Sequence, residues 1–435
     1  MRIGHEASRC IPAATSQKEA MSKYRHILTD YFLAGIASAK PGAALSKLLP
    51  TTPAKGRTIV LGAGKAAAEM AKVASECLTG DVSGCVVTRY GHNVAVSLGN
   101  IQVIEANHPV PDESSRLAGH IILRWAERAT PDDRVIFLIS GGGSSLLCAP
   151  LPGITFDEKI AITDWLVRSG ASIQEINLVR RHMSRVKGGR LAAAAARAEL
   201  ITFVISDVVG DDLSLVASGP TMSAPFEPEN ALGILGRYGW MTSPGLASAI
   251  LGNMLPRVQD HPVHLLAANQ HALQKIGQLA EHDGWNVVSV GDALTGNAAD
   301  IGREHAAIAI AYARKPGRHL LLSGGELTVT VKACGGCGGP NLEYLAALMS
   351  GLPSDSLVEA LSGDTDGIDG TEDNAGGYFC AQWRNLAIAN GHAPDVMLDT
   401  HQTYDLFKKL GGLVLTGPTR TNVNDLRMIA VEGSA

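Results

Sequence analysis

One phrase recurs along the first half of the chain: a run of apolar residues, a glycine or polar break, then a helix-length segment. It appears as RTIVLGAG before KAAAEMAKVASECL, then as GCVVTRY, and as IQVIEANHPVP before a helix over 112–129. It returns as DRVIFLISGGGSSLL before a helix over 157–169, and as ELITFVISDVVGDD. Strands that stay apolar throughout and alternate with helices predict a parallel sheet covered on both faces. In such sheets ligands bind beyond the C-terminal strand ends, and the glycine clusters of this chain fall there. A helix over 19–47 precedes the first strand, with Ile27, Tyr31, Phe32 and Ile36 at helical spacing.

The second half starts a new unit. HLLAAN, a helix and WNVVSV read as one β–α–β element, followed by a helix over 297–314, strand HLLLSGGELTVTV, a helix opening at GGPNLEYLAALM, strand LVEALSG and a helix near 376–390. The expected architecture is α/β in two domains, each with a largely parallel sheet flanked by helices, the first of them Rossmann-like. The boundary falls in the loop Leu255–Pro262, giving domains over 19–258 and 259–435.

Composition narrows the function. The 435 residues are 46% hydrophobic and carry a net charge of −5, so a nucleic-acid footprint, which is strongly basic, is not expected. No apolar run is long enough for a membrane span, and residues 1–20 lack the core of a secretory signal. They read as a leader, or as an extension before a start at Met21. Seven scattered cysteines suit the reduced thiols of a cytoplasmic enzyme.

Gly62-Ala63-Gly64-Lys65-Ala66-Ala67 is a G-x-G-x-x-A variant of the dinucleotide fingerprint. That fingerprint needs an acid at the end of the next strand for the ribose hydroxyls. This strand ends in Thr88-Arg89-Tyr90, where Arg89 keeps NADP open. P-loop spacing is absent. A lysine at a helix N-terminus opposes the helix dipole unless both share an anion. Lys65 is therefore expected to bind and neutralise an anion, with Gly62 and Gly64 as nucleotide- or phosphate-binding residues of the same loop.

Ser140-Gly141-Gly142-Gly143-Ser144-Ser145 supplies backbone amides and hydroxyls at one strand end, as an oxyanion or phosphate nest does. NLVRRHMSRVKGGR carries Arg180, Arg181, Arg185, Lys187 and Arg190, with His182, Ser184, Gly188 and Gly189 among them, and reads as a polyphosphate contact. Asp207, Asp211 and Asp212 end one strand, Glu326 ends SGGE, and Asp364, Asp366 and Asp369 lie in DTDGIDG. Carboxylates at loop tips suit Mg²⁺, which takes one or two of them plus phosphate oxygens; a turn or capping role competes at each. The lone Cys334-Gly-Gly-Cys337 lacks further zinc ligands and is read as incidental. His108, in the turn NHPVP, is either a substrate contact or a satisfied buried histidine.

Nine ordered motifs resemble one family: GAGKAA at 62–67, NHPVPD at 107–112, SGGGSSLL at 140–147, VRRHMSRVKGGRLA at 179–192, SDVVGDDLSLVASGPT at 206–221, SGGE at 323–326, GGPNLEYL at 338–345, DTDGIDG at 364–370 and TGPTRTNVNDL at 416–426. They resemble the glycerate 2-kinases, the class with a C-terminal MOFRL domain, whose relatives often carry the name hydroxypyruvate reductase. The resemblance spans residues 22–430. It implies transfer of the ATP γ-phosphoryl group to the 2-hydroxyl of D-glycerate with Mg²⁺, in a cleft between the two domains. It implies Lys65 as a catalytic residue, Asn341 among the phosphate-binding residues, and His108, Glu343 and Arg420 beside the substrate. Two arginines usual in the family's G-R-G-G-R-N-Q-E segment are replaced here by Cys337 and Pro340, so Arg180, Lys187 or Arg420 is expected to supply the missing charge. Asp207, Asp212, Glu326 and Asp366 are the expected metal carboxylates. The alternative is an NADP-linked hydroxypyruvate or tartronate semialdehyde reductase. The oligomeric state stays open, a homodimer among the options.

Overall fold

The computed structural model describes residues 22–210, 212–330 and 336–434. The leader over 1–20, Met21, Asp211 and Cys334 lie outside the described residues. The chain divides into two compact units, one formed by Ser38–Asn269 with Pro418–Val423, the other by the chain up to Ala37, Gln270–Gly417 and Asn424–Ala435.

The unit over Ser38–Asn269 holds strands β1 (Thr58–Ala63), β2 (Val82–Arg89), β3 (Asn100–Ala106), β4 (Arg134–Ile139), β5 (Glu199–Ile205) and β6 (Val263–Ala267). They form one sheet in the order β3-β2-β1-β4-β5-β6, parallel throughout. This is the doubly wound order whose reversal between β1 and β4 makes a ligand crevice at their C-terminal ends. β1 and β4 are buried along their whole length, as their unbroken apolar sequence requires, whereas edge strand β3 alternates. The helix expected over 112–129 spans Glu113–Glu127; Asp112 and Ser115 form a reciprocal capping box that fixes its start. Phe156–Arg168 likewise starts at the Thr155 cap.

The other unit holds β7 (Asn286–Asn297), β8 (Gly317–Thr328), β9 (Val358–Asp364), β10 (Gly376–Cys380), β11 (Leu413–Val414) and β12 (Asp425–Gly433), in the order β11-β10-β9-β12-β8-β7. Here the expectation of a largely parallel sheet is corrected. Only β7 and β8 run parallel; the other four pairings are antiparallel. The link from β9 to β10 is too short for a crossover helix and reverses the chain instead. The link over 365–375 contains most of the DTDGIDG motif. The helix expected near 376–390 is strand β10 followed by a short helix, Trp383–Ala389.

Two further boundaries move. HLLAAN, expected to pair within the second unit, pairs as β6 with β5 instead, so the second sheet begins one strand later. The helix expected over 19–47 is broken into Arg25–Ser38 and Gly42–Leu48 by Pro41, which cannot donate inside a helix. Arg25–Ser38 packs in the unit of the second sheet, where Glu359 accepts from the Lys23 and Tyr24 amides at 2.7 and 2.8 Å. Among the described residues no helix is long and apolar enough to cross a membrane.

Candidate active site

The loops that follow β1 and β4 meet at the reversal point. Gly64 has φ of +136°, and a Cβ there would lie 2.1 Å from Ser140 Oγ. Only glycine allows that approach. The two loops are stitched together: Lys65 N donates to Gly141 O at 2.8 Å, and Ala66 N donates to Ser140 Oγ at 3.0 Å. Lys65 is thereby placed at the head of helix Ala67–Cys77, buried to 8% exposure.

The glycines after β4 are the floor of the site. A Cβ on Gly142 would lie 3.1 Å from His108 Cδ2 and 3.2 Å from Lys65 Cγ. One on Gly141 would lie 2.1 Å from Asp207 Oδ2 and 2.6 Å from Asn422 Nδ2. Lys65, His108, Asp207 and Asn422 therefore surround a turn bare of side chains. Asn422 donates to Asp207 Oδ2 at 3.3 Å, which orients the carboxylate. Sequence reasoning misses Asn422, although it lies within the motif TGPTRTNVNDL.

A second wall is built under strain. Ala217 and Ser218 have φ of +53° and +62°, ahead of Gly219 at +64°. Two consecutive non-glycine residues in the left-handed region are costly and cluster at functional sites. Ser218 Oγ donates to Asn177 Oδ1 at 2.8 Å and stands 2.8 Å from Ser144 Oγ. Its single proton is committed to Asn177, so Ser144 is the donor in the hydroxyl pair. Ser145 Oγ donates to Gly142 O within the turn, at 3.2 Å.

Much of the basic segment, expected as a polyphosphate contact, is occupied in the framework: His182, Arg185, Gly188, Gly189 and Arg190 are bound within the protein. Gly188 and Gly189 donate their amides to Ser218 O and Gly219 O, at 3.1 and 2.8 Å, and so have none to offer a phosphate. Arg190 holds the carbonyls of Arg181, Ser184, Asn253 and Met254, and Arg185 pairs with Glu127. His182 Nε2 accepts from Glu227 N at 3.0 Å, which leaves Nδ1 as the donor to Leu178 O; it is a satisfied buried histidine, and burial lowers its pKa. Lys187 is fully buried, its ammonium donating to Leu147 O at 3.3 Å and Ala217 O at 3.4 Å. Burial drives its pKa well below the usual lysine range, helped by the charges of Lys159 and Arg180. Arg180 is half-buried, and desolvation brings it down to about 10. Arg420, with φ of +62°, donates from Nε to Asn93 O at 3.1 Å.

The remaining expected residues belong to the other unit. Asn341 uses both ends of its amide internally, donating to Asp369 and Asp425 and accepting from Ser362. Asp369 also accepts from the Asn341 and Leu342 amides and so caps helix Pro340–Gly351; burial raises its pKa to about 7. Glu343 pairs with His401 at 2.7 Å, both buried. Asp366 shapes its own turn, accepting from Ile368 N at 2.8 Å, and Glu326 is exposed on β8. In the first unit, Asp212 accepts from Ser214 N at 2.9 Å. Cys337 is exposed and free.

Among the described residues no three His, Cys, Asp or Glu gather as a metal cage. A Mg²⁺ held by one or two carboxylates and completed by phosphate oxygens needs no such cage. Asp207, half-buried against the glycine turn, fits that arrangement.

Comparison with known proteins follows the same division. Residues 27–251 match the family described as a domain of unknown function, DUF4147, and residues 319–425 match the MOFRL family. A protein of Agrobacterium vitis that bears a provisional hydroxypyruvate reductase name is 44% identical over 94% of this chain and 94% of its own. The D-glycerate 2-kinase of Thermotoga maritima is 37% identical over 90% of this chain and 94% of its own. The crystal structure of a Thermotoga maritima glycerate kinase superposes with a TM-score of 0.83, at 35% identity, over 96% of this chain and all of that one.

Proposed function

Because the chain belongs to the glycerate 2-kinase family, with its DUF4147 and MOFRL segments, we propose that it transfers the γ-phosphoryl group of ATP to the 2-hydroxyl of D-glycerate, giving 2-phosphoglycerate. The observation that carries this reading is the bare turn Gly141–Gly142, ringed by Lys65, His108, Asp207 and Asn422. Phosphoryl transfer asks a protein for positioning and for charge on the equatorial oxygens, with little covalent work. A turn without side chains lets phosphate oxygens reach backbone, and Lys65 brings a positive charge to its edge.

Mg²⁺, bound with the nucleotide, supplies further neutralisation of phosphate charge, and Asp207 is the carboxylate that holds it. Asn422 keeps Asp207 aimed. His108, across Gly142 from Lys65, is placed to accept the proton of the attacking hydroxyl. Ser144, oriented by Ser218 and Asn177, presents its oxygen lone pairs beside the turn. Arg420 is the cation that stands in for the arginines replaced by Cys337 and Pro340.

The reductase reading lacks support at the ribose. β2 ends in Thr88-Arg89 with no acid, and Thr88 is buried and donates to Lys65 O at 3.3 Å. One assay decides: purified protein with D-glycerate, ATP and Mg²⁺, followed by ADP release and identification of the phosphoglycerate isomer, beside hydroxypyruvate with NADPH. ADP release with 2-phosphoglycerate is expected. NADPH oxidation without ADP release reverses the assignment.

A further inference from the structure

Helix Phe156–Arg168 presents Lys159, Ile162 and Leu166 to the core. That spacing is one apolar stripe, and a lysine heads it. Lys159 is 4% exposed, its ammonium lies against the Cys148 thiol, and it has no oxygen acceptor. An ammonium buried without an acceptor is strongly disfavoured unless something else uses its charge.

Two more cations share the space. Arg180 is close enough to depress the ionisation of Lys159, Lys159 and Arg180 both depress that of Lys187, and Cys148 faces all three. Among the described residues no carboxylate pairs with any of the three. Lys187 makes two long bonds to carbonyls, at 3.3 and 3.4 Å, and an ammonium has three donors. Arg180 forms no ion pair among the described residues and is the half-buried member, so the group is reached from its side. Lys187 also ties this group to the strained turn, through Ala217 O. Two buried ammonium groups and a half-buried guanidinium, without a counter-charge among the described residues, describe a seat for a small anion. With both ammonium groups buried and only Arg180 partly exposed, the group suits a small anion rather than a nucleotide.

We propose that Lys159, Arg180 and Lys187 seat the carboxylate of the acceptor acid, with Cys148 in the wall of that seat. The inference rests on the reading of the acceptor as a 2-hydroxy acid, and it adds Lys159 as a binding residue. The short helix Gly143–Leu146 separates the seat from the bare glycine turn. Four helical residues span about 6 Å, a distance that a three-carbon acid and the phosphoryl group it receives can bridge. Carboxylate and phosphoryl group are thus held at opposite ends of one rigid element, which selects acids whose hydroxyl is adjacent to the carboxylate.

The test compares wild type, Lys159→Met and Lys159→Arg by calorimetric binding of D-glycerate without nucleotide, and by steady-state kinetics with ATP and Mg²⁺. Loss of a charge-assisted hydrogen bond should weaken D-glycerate binding and raise its KM on the order of 10- to 100-fold in Lys159→Met. The KM for ATP should hold, the melting temperature should hold or rise, and Lys159→Arg should recover part of the affinity. Unchanged acid affinity in folded Lys159→Met, or a raised KM for ATP instead, overturns the seat. Wild type that binds D-glycerate through Lys159 yet transfers no phosphoryl group sinks the kinase reading and leaves the seat standing. If Lys159→Met does not fold, Arg180→Gln at the half-buried edge takes its place, and the seat stands or falls on the same loss of acid affinity.

Discussion

Ser144 and Ser218 meet hydroxyl to hydroxyl at 2.8 Å, joining the glycine turn after β4 to the strained turn at Ala217–Gly219. Neither hydroxyl is satisfied alone: Ser218 needs Asn177 to take its proton, and that fixes the direction of the Ser144 bond. Ser218→Ala removes the acceptor for Ser144 and the donor for Asn177. Leaving such buried groups unmatched costs about 1–3 kcal/mol. Urea unfolding should show that loss, and kcat should fall with it, because Ser144 is no longer oriented. Wild-type stability in Ser218→Ala would mean that water replaces the hydroxyl and that the chain of bonds is not a constraint.

Lys65→Ala should fold normally and lose turnover. The side chain branches from a turn fixed by backbone bonds to Gly141 and Ser140, so the fold does not need the ammonium. Removing one preorganised group that stabilises transition-state charge costs roughly 10²–10³ in kcat. The fall should appear in kcat more than in KM. A folded Lys65→Ala enzyme with near-normal kcat ends the catalytic assignment.

Asp207→Asn should shift the Mg²⁺ titration to higher concentration, since removing an anionic ligand weakens a hard-cation site. The neighbouring Asn422 bond to Oδ2 can persist with an amide oxygen, so folding is preserved. An unaltered Mg²⁺ midpoint moves the metal to another carboxylate, with Asp212 next.

Wild-type turnover should be ordinary for a kinase, roughly 1–100 s⁻¹, despite Cys337 and Pro340. Arg420→Ala should then lower kcat by roughly 10³, because its left-handed backbone and its bond to Asn93 O hold the guanidinium in one place. Full activity in that variant assigns the missing charge elsewhere.

The pH dependence of stability has a fixed sign at Lys159. Burial lowers its folded pKa below 10.5, the value in the unfolded chain. Between those two values the unfolded state binds the extra proton, so stability rises with pH. Lys159→Met, which removes the penalty, should therefore be more stable than wild type at neutral pH, and its advantage should shrink as pH approaches 10.5. Paired urea titrations across pH 7–10 check it, pH 10 lying just below the unfolded value. An advantage that stays constant with pH places the lysine in solvent.

Much of the first unit is legible in the sequence because its signals are local. Unbroken apolar strands, Gly64 before Lys65, and the glycine run at 141–143 each show their need in the residue type itself, even where the neighbour that imposes it, Ser140 or Asp207, is distant in sequence. The basic run misleads for the opposite reason. Whether Arg190 meets a phosphate or backbone carbonyls depends in part on Asn253 and Met254, more than 60 residues away, and composition is blind to that. Asn177 and Ser218 are silent because their partnership joins segments 41 positions apart. Lys159 carries a readable sign, a cation at the head of the Ile162–Leu166 stripe. Strand direction in the second sheet is not encoded locally either, because a buried apolar strand reads the same in both orientations.

The position of β12 governs when the protein can be completed. It is the last strand in the sequence, yet it lies inside its sheet, between β9 and β8. During synthesis β8 and β9 are made long before the strand that joins them, and each waits with an open edge, the kind of surface that invites pairing with other chains. The segment Pro418–Val423, which the other unit needs, is made just ahead of it. Neither unit can therefore close before Pro418–Val423 and β12 have been made, and a truncation that removes β12 leaves a divided sheet rather than a shortened one.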